Sequence, residues 1–294
     1  MRCDDRDIRY LEVDGLRIRV LIRNPLADTV PLVMLNGLGQ SIEVLMPLIT
    51  ELGDRPVICF DMPGVGLSDM AERHLTISDY AGLTADILHR LNIVTYDVMG
   101  ISWGGAVAQQ LAHDDPAGCR RMILAISSAG GLTSWWGSPV ALSEITLPLR
   151  FSDRDYGNFI GPLMYGGQAL ANPSLFRDYA RHSVRPSLPG YYSQVRALCS
   201  WTSICWLRQI TQPVLVIAGL FDALIPFPNQ LVLAQMIPRA EMKVYPDGHL
   251  ILFSRRQEIA RLTETFLDRD HAPTKSPARG PAIDARKAQP DAHI

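Results

Sequence analysis

The stretch YDVMGISWGGAVAQQLAH (96–113) decides the fold. Its apolar beginning reads as a buried strand and its Ala-rich end as a helix. Between them Gly100-Ile101-Ser102-Trp103-Gly104 fits G-x-S-x-G. A serine on so sharp a strand-to-helix turn is presented at the end of a sheet. Glycines two residues before and after it keep the neighbouring backbones from colliding. The helix start beside the serine favours negative charge there. Alone the motif is weak; the strand before it and the helix after it give it weight.

The same alternation continues outward in both directions. IRYLEV (8–13) and LRIRVLI (16–22) flank an Asp14-Gly15 turn and read as an N-terminal hairpin. PLVMLN (31–36) and PVICFD (56–61) are short apolar runs ending in Gly-rich turns, as buried parallel strands do. Helical spacing marks Ile42–Leu52, Ile77–Leu91 and a span from about Gly104 to His113, and RMILAIS (121–127) reads as the next strand. After a long gap the pattern resumes with PVLVIAG (213–219), a helix around Asn229–Met236, EMKVYP (241–246) and a last helix at roughly Arg255–Leu267. Strands alternating with helices imply an α/β fold, a mostly parallel sheet covered on both faces.

The gap from 128 to 209 has no strand-like alternation and holds four of the five tryptophans, Trp135, Trp136, Trp201 and Trp206. It reads as a helical lid inserted into a core made of residues 1–127 and 210–269. A small helical insertion with so many large apolar groups covers something besides its own centre. From 270 to 294 the sequence is proline-rich and charged with almost no large apolar residue, the composition of a disordered tail.

The 294 residues carry a net charge of −2, with 47% hydrophobic and 20% charged positions. Nothing in that balance draws the chain to nucleic acid or an anionic membrane. Apolar runs such as Pro213–Leu220 are far shorter than the ~20 residues a transmembrane helix needs. The opening MRCDDRDIRY lacks the apolar core of a signal peptide. Five cysteines (Cys3, Cys59, Cys119, Cys199, Cys205), odd in number and without a CxxC pair, suit reduced, mostly buried thiols in a cytoplasm.

A serine hydroxyl needs a base, and the base needs an orienting carboxylate. His249 follows Asp247-Gly248 on a loop between the EMKVYP strand and the last helix, where it can swing over the carboxyl edge of the sheet. Asp222 projects from the end of the PVLVIAG strand in GLFDALIP, and the order Ser102, Asp222, His249 is the α/β-hydrolase order. Asp247 is the competing acid, though two residues from His249 it reaches the ring less naturally. The expected oxyanion donors are the N–H groups of Trp103 and of Leu38, in Asn36-Gly37-Leu38-Gly39-Gln40. Asn36 can stiffen that loop through its side chain. Gly64-Val65-Gly66 lacks the rest of a dinucleotide fingerprint and reads as a tight turn supporting the loop. His113-Asp114-Asp115 is a poor metal site, because adjacent side chains point apart.

At this level the chain resembles the intracellular, medium-chain-length poly(3-hydroxyalkanoate) depolymerases of the α/β-hydrolase superfamily. The similar stretches are FDMPGVGLS (60–68), GISWGGAVAQQLAHDDP (100–116), PLMYGG (162–167), GYYSQ (190–194), WTSICWL (201–207) and DGHLILF (247–253). The resemblance implies a cytoplasmic serine esterase, without metal or cofactor, that cuts stored polyester of (R)-3-hydroxy fatty acids. It carries Ser102, Asp222 and His249 as the triad. Serine rather than cysteine at the elbow favours hydrolysis over polymer synthesis. Asn36, Trp135, Trp136, Tyr191, Trp201 and Trp206 are the expected substrate contacts, with the lid aromatics lining an apolar slot and able to touch granule surfaces. A small-ester carboxylesterase and a 3-hydroxyacyl thioester transferase remain as other readings.

Overall fold

The structure, a computed structural model, describes residues 7–25 and 27–269. The expected disordered tail, 270–294, lies outside them. Eight strands form one sheet: β1 (Ile8–Val13), β2 (Leu16–Arg23), β3 (Leu32–Leu35), β4 (Val57–Phe60), β5 (Tyr96–Ile101), β6 (Cys119–Ala125), β7 (Val214–Gly219) and β8 (Ala240–Tyr245). Their order is β1-β2-β4-β3-β5-β6-β7-β8. β1 pairs antiparallel with β2, and β2 antiparallel with β4; from β4 to β8 every pair is parallel. The hairpin expected at 8–22 is there, with Asp14 and Gly15 both at positive φ, as a two-residue hairpin turn prefers.

The central strands are buried from end to end, so alternate residues serve two cores. Val33, Leu35, Val98 and Val216 face one side, packing with α2 (Ile77–Arg90), α3 (Trp103–Asp114) and α9 (Phe227–Met236). Leu32, Met34, Met99 and Ile217 face the other, packing with α1 (Ile42–Glu51), α10 (Ile251–Ser254) and α11 (Arg256–Leu267). The last helix read from the sequence, roughly Arg255–Leu267, is α11; the short α10 precedes it, set off at Arg255, where φ is −121°.

Strand order places the site. After β3 the chain crosses through α1 to β4 on one side, then through α2 to β5 on the other. The connections leaving β3 and β5 diverge and open a crevice at the carboxyl ends of the strands. The Asn36–Gln40 loop leaves β3 there, and Ser102 ends β5. Over that edge lie helices from between β6 and β7: α4 (Pro139–Thr146), α5 (Arg154–Tyr165), α6 (Gly167–Ala171), α7 (Pro173–Ala180) and α8 (Leu188–Cys199). They have their own small core, including Ala141, Met164, Tyr165, Phe176 and Tyr179, which joins the larger body through Leu250.

Two cysteines depart from the sequence reading. Cys59 and Cys119 are buried and free as expected, whereas Cys199 and Cys205, also free, are exposed. Both stand in the 128–209 segment, whose short helices shield less than the sheet does.

Candidate active site

Ser102 has φ 52° and ψ −117°, a conformation that a side-chain-bearing residue adopts only when its surroundings impose it. They do. Its N–H donates to Ala125 O (2.9 Å) and its carbonyl accepts from Ser127 Oγ (2.9 Å), so the end of β6 and the loop after it clamp both sides of the turn. Gly104 is forced by close approach: a Cβ there would stand 2.2 Å from Leu35 O and 2.5 Å from Asn36 O. The turn after β5 thus lies hard against the end of β3.

His249 joins the other two side chains. Its Nδ1–H donates to Asp222 Oδ2 at 2.8 Å, leaving Nε2 to accept the Ser102 hydroxyl at 3.0 Å. All three residues come from carboxyl ends of strands, with Asp222 and His249 each only 6% exposed. Asp222 is oriented in turn: Oδ1 accepts from Leu224 N–H (2.9 Å) and Ile225 N–H (2.8 Å), and Oδ2 from Gln230 Nε2 (3.3 Å). The competing acid is committed elsewhere. Asp247 accepts from Gly248 and Gln168 N–H, from Ser254 Oγ and from Arg255 Nε, holding the histidine loop from behind.

The loop after β3 is fixed on both sides of Leu38. Asn36 Oδ1 accepts from Gly37 N–H (2.8 Å) and its Nδ2 donates to Ser41 O (2.7 Å), the stiffening role expected of it. Gly39 N–H donates to Gln194 Oε1 on α8 at 2.7 Å. The loop abuts the serine, since a Cβ on Gly37 would lie 3.7 Å from Ser102 Cβ. Asp61 anchors the far end, accepting from Ile42 N–H (2.8 Å), Leu67 N–H (3.0 Å) and Arg19 (3.2 Å). Burial pushes its carboxyl above the usual range, against the backbone donors and Arg19. The turn at Gly64–Gly66 therefore supports the loop, as its sequence suggested.

Above the serine is a cavity of about 150 Å³. Asn36, Leu38, Ser102, Trp103 and His249 reach it, and so do Tyr165, Tyr179 and Phe253. The aromatics singled out in the sequence are placed differently. Tyr191 is fully buried behind the loop after β3, packed against Gly39, its hydroxyl donating to Ile145 O at 3.2 Å. Trp201 donates to Gln110 Oε1 (2.7 Å) and packs against Trp206, which lies tilted against His113 at 4.4 Å between ring centroids. Trp135 and Trp136 are 56% exposed on the outer surface. None of these five lines the cavity over Ser102, because the segment uses its tryptophans to seat itself on α3 or to face solvent.

Three residues that the sequence reading passed over hold the Ser102–His249–Asp222 array and the loop beside it. Tyr165 stacks on the His249 ring, and Gln230 steadies Asp222 while its Oε1 accepts from Gly219 N–H (2.9 Å). Gln194 holds both the loop after β3 and Trp103, its side chain taking Gly39 N–H and its carbonyl taking Trp103 Nε1–H at 2.9 Å. The signal was present for Tyr165 and Gln194, which stand in PLMYGG and GYYSQ. Among the described residues no group of three or more His, Cys, Asp or Glu is gathered as a metal would require, nor is any helix long and apolar enough to cross a membrane.

Such an array can draw the proton from a serine hydroxyl onto an oriented imidazole and stabilise an adjacent oxyanion. Comparison with known proteins gives the family. The profile described as alpha/beta hydrolase fold matches residues 30–255. The poly(3-hydroxyalkanoate) depolymerase of Ectopseudomonas oleovorans is 38% identical over 263 residues, spanning 89% of this chain and 93% of that one. The 2-hydroxymuconate semialdehyde hydrolase of Pseudomonas putida is 32% identical over 225 residues, 72% of this chain and 77% of that one. The crystal structure of the enol-lactonase from Burkholderia xenovorans LB400 superposes with a TM-score of 0.76 over 88% of this chain and 100% of that chain, at 21% identity, a likeness of fold. From its strand order, its strained serine turn and these matches, the chain belongs to the alpha/beta hydrolase fold family.

Proposed function

We propose that this ester-hydrolysing enzyme is a serine esterase that cuts poly(3-hydroxyalkanoate) inside the cell, with Ser102 as nucleophile, His249 as base and Asp222 as its orienting acid. The observation that carries the reading is His249 bridging Asp222 and Ser102 beneath an apolar cavity. Similarity to the E. oleovorans depolymerase across nearly the whole chain supports the substrate class.

Ser102 Oγ adds to the ester carbonyl as its proton passes to His249 Nε2. The developing oxyanion is met by the N–H groups of Leu38 and Trp103. His249 then gives the proton to the departing alkoxide, which leaves as a hydroxyacyl chain end. Water, deprotonated by the same imidazole, attacks the acyl-enzyme and releases a 3-hydroxy acid or oligomer and free Ser102. Asp222 keeps the ring in the productive tautomer throughout. Residues 128–209 act as the lid over a core of 1–127 and 210–269, and their exposed Trp135 and Trp136 suit contact with a granule surface.

The test is release of 3-hydroxyalkanoic acids from amorphous medium-chain polyester granules. Release at rates exceeding those on short-chain granules supports the reading. Hydrolysis of soluble p-nitrophenyl esters with none of granules overturns the substrate and leaves a small-ester carboxylesterase.

A further inference from the structure

A second cavity, of about 500 Å³, opens among the helices between β6 and β7. It shares Arg150, Tyr165 and Tyr179 with the cavity over Ser102, so these side chains stand at the boundary between the two. Its chemistry differs sharply from that of its neighbour. Arg150, Arg154, Arg181 and Arg185 line it, and among the described residues no acidic side chain does. In a chain of net charge −2 that is a local concentration of positive charge in a concave wall, where fields are focused.

Arg150 is the pivotal member. Its side chain is 5% exposed, held by an Nη1 bond to Glu144 O (2.7 Å) and by lying over the Phe151 ring at 4.3 Å. The Glu144 carboxylate is nearby (3.6 Å) but already accepts from Tyr156 Oη and Arg150 N–H. Arg150 Nε is buried and has no hydrogen-bond partner among the described residues. Arg181 is paired with Asp178 (2.9 Å) at the rim.

The geometry points to a carboxylate subsite: the arginine-lined cavity receives the free carboxylate end of a linear 3-hydroxyacyl oligomer whose ester sits over Ser102. This rests on the polyester reading above. The interior of such a polymer is uncharged, but every linear chain ends in one carboxylate. That end belongs to the alcohol side of the scissile ester, and in a dimer only a methine and a methylene separate it from the ester oxygen. Arginine forks match carboxylate geometry in a way that no neutral ester carbonyl can. The site therefore selects chain ends and short oligomers over internal esters.

The experiment compares kcat/KM for a linear 3-hydroxydecanoate dimer and for its methyl ester. Arg150 is buried beside Glu144 and its replacement endangers folding, so the variant used is the exposed pair Arg154→Gln/Arg185→Gln. The expected result is a preference of about tenfold or more for the free acid in the unaltered enzyme, the scale of one charge-assisted hydrogen bond, shrinking towards unity in the variant. Equal hydrolysis of acid and methyl ester overturns the subsite while leaving the esterase reading intact. If neither dimer is cut, the polyester reading falls, and calorimetry with 3-hydroxydecanoate decides the subsite. Binding lost in the double variant supports it; no binding, or equal binding of inorganic phosphate, overturns it.

Discussion

Tyr165 lies stacked on His249, ring centroids 5.9 Å apart at 23°, and its carbonyl accepts the His249 N–H at 2.8 Å. One residue of the helical segment thus fixes both the ring and the backbone of the histidine. The neighbouring Gly167, at φ 53°, allows this approach, since a Cβ there would be 1.9 Å from Gly248 N. Tyr165 also packs against Phe176 and Tyr179. Tyr165→Phe should keep the stack and most of the activity. Tyr165→Ala should lower stability by about 3–5 kcal/mol and reduce kcat, read by denaturant unfolding and ester turnover.

The two acids beside His249 should separate cleanly. Asp222→Asn should lower turnover by about 10⁴-fold with the protein still folded, because the ring loses its proper tautomer. Asp247→Asn weakens the bonds to Ser254 and Arg255. It should cost about 1–3 kcal/mol of stability with a far smaller effect on turnover. Equal losses of turnover in the two variants would contradict the pairing.

Much of this was legible in the sequence, and the reasons are physical. Period-two and period-3.6 patterns give the strands and helices from 8 to 127 within a residue or two, because a buried parallel sheet demands continuous apolar runs. Ser102, Asp222 and His249 stood out because each follows a strand on a tight loop. The 128–209 segment was read only in outline. Its aromatics could be counted but not aimed, and the reading gave the slot to Trp135, Trp136, Tyr191, Trp201 and Trp206 instead of Tyr165, Tyr179 and Phe253. Tryptophans that seat a helix and those that line a pocket share one local pattern; only the packing direction separates them. Gln230 was invisible for a related reason, since an amide that steadies a carboxylate has no signature spacing.

Gln194 gives a prediction about catalysis without substrate contact. Gln194→Ala frees the Gly39 N–H from its side-chain acceptor but keeps the carbonyl that binds Trp103. A loosened oxyanion loop should reduce kcat by about tenfold, part of the loss of a whole donor, with little change in KM. Gln194→Glu retains an acceptor at that position and should restore most of the rate. Equal loss in both variants would indicate damage to α8 rather than to the loop.

At the start of α2, Thr76 and Asp79 form a capping box, Thr76 Oγ1 accepting from Asp79 N–H and Asp79 from Thr76 N–H. The Arg73 hydrogen bond comes first in holding the Asp79 carboxyl well below the usual range, with the Thr76 bonds adding to it against partial burial. A carboxyl held lower in the folded than in the unfolded chain stabilises above its unfolded value, about pH 4, and loses that contribution as pH falls towards the folded value. The gap in unfolding midpoint between the unaltered protein and Asp79→Asn should therefore be full at pH 7 and narrow below pH 4. Salt should reduce it, because Arg73 is exposed.

Ser102 as the nucleophile for polyester hydrolysis is tested by a fluorophosphonate titration of the enzyme. One equivalent should bind, located by peptide mass spectrometry on Ser102, with granule hydrolysis falling in proportion, and Ser102→Ala should show neither labelling nor hydrolysis. Undiminished release of 3-hydroxy acids by Ser102→Ala, or labelling at another residue that abolishes it, would contradict the account.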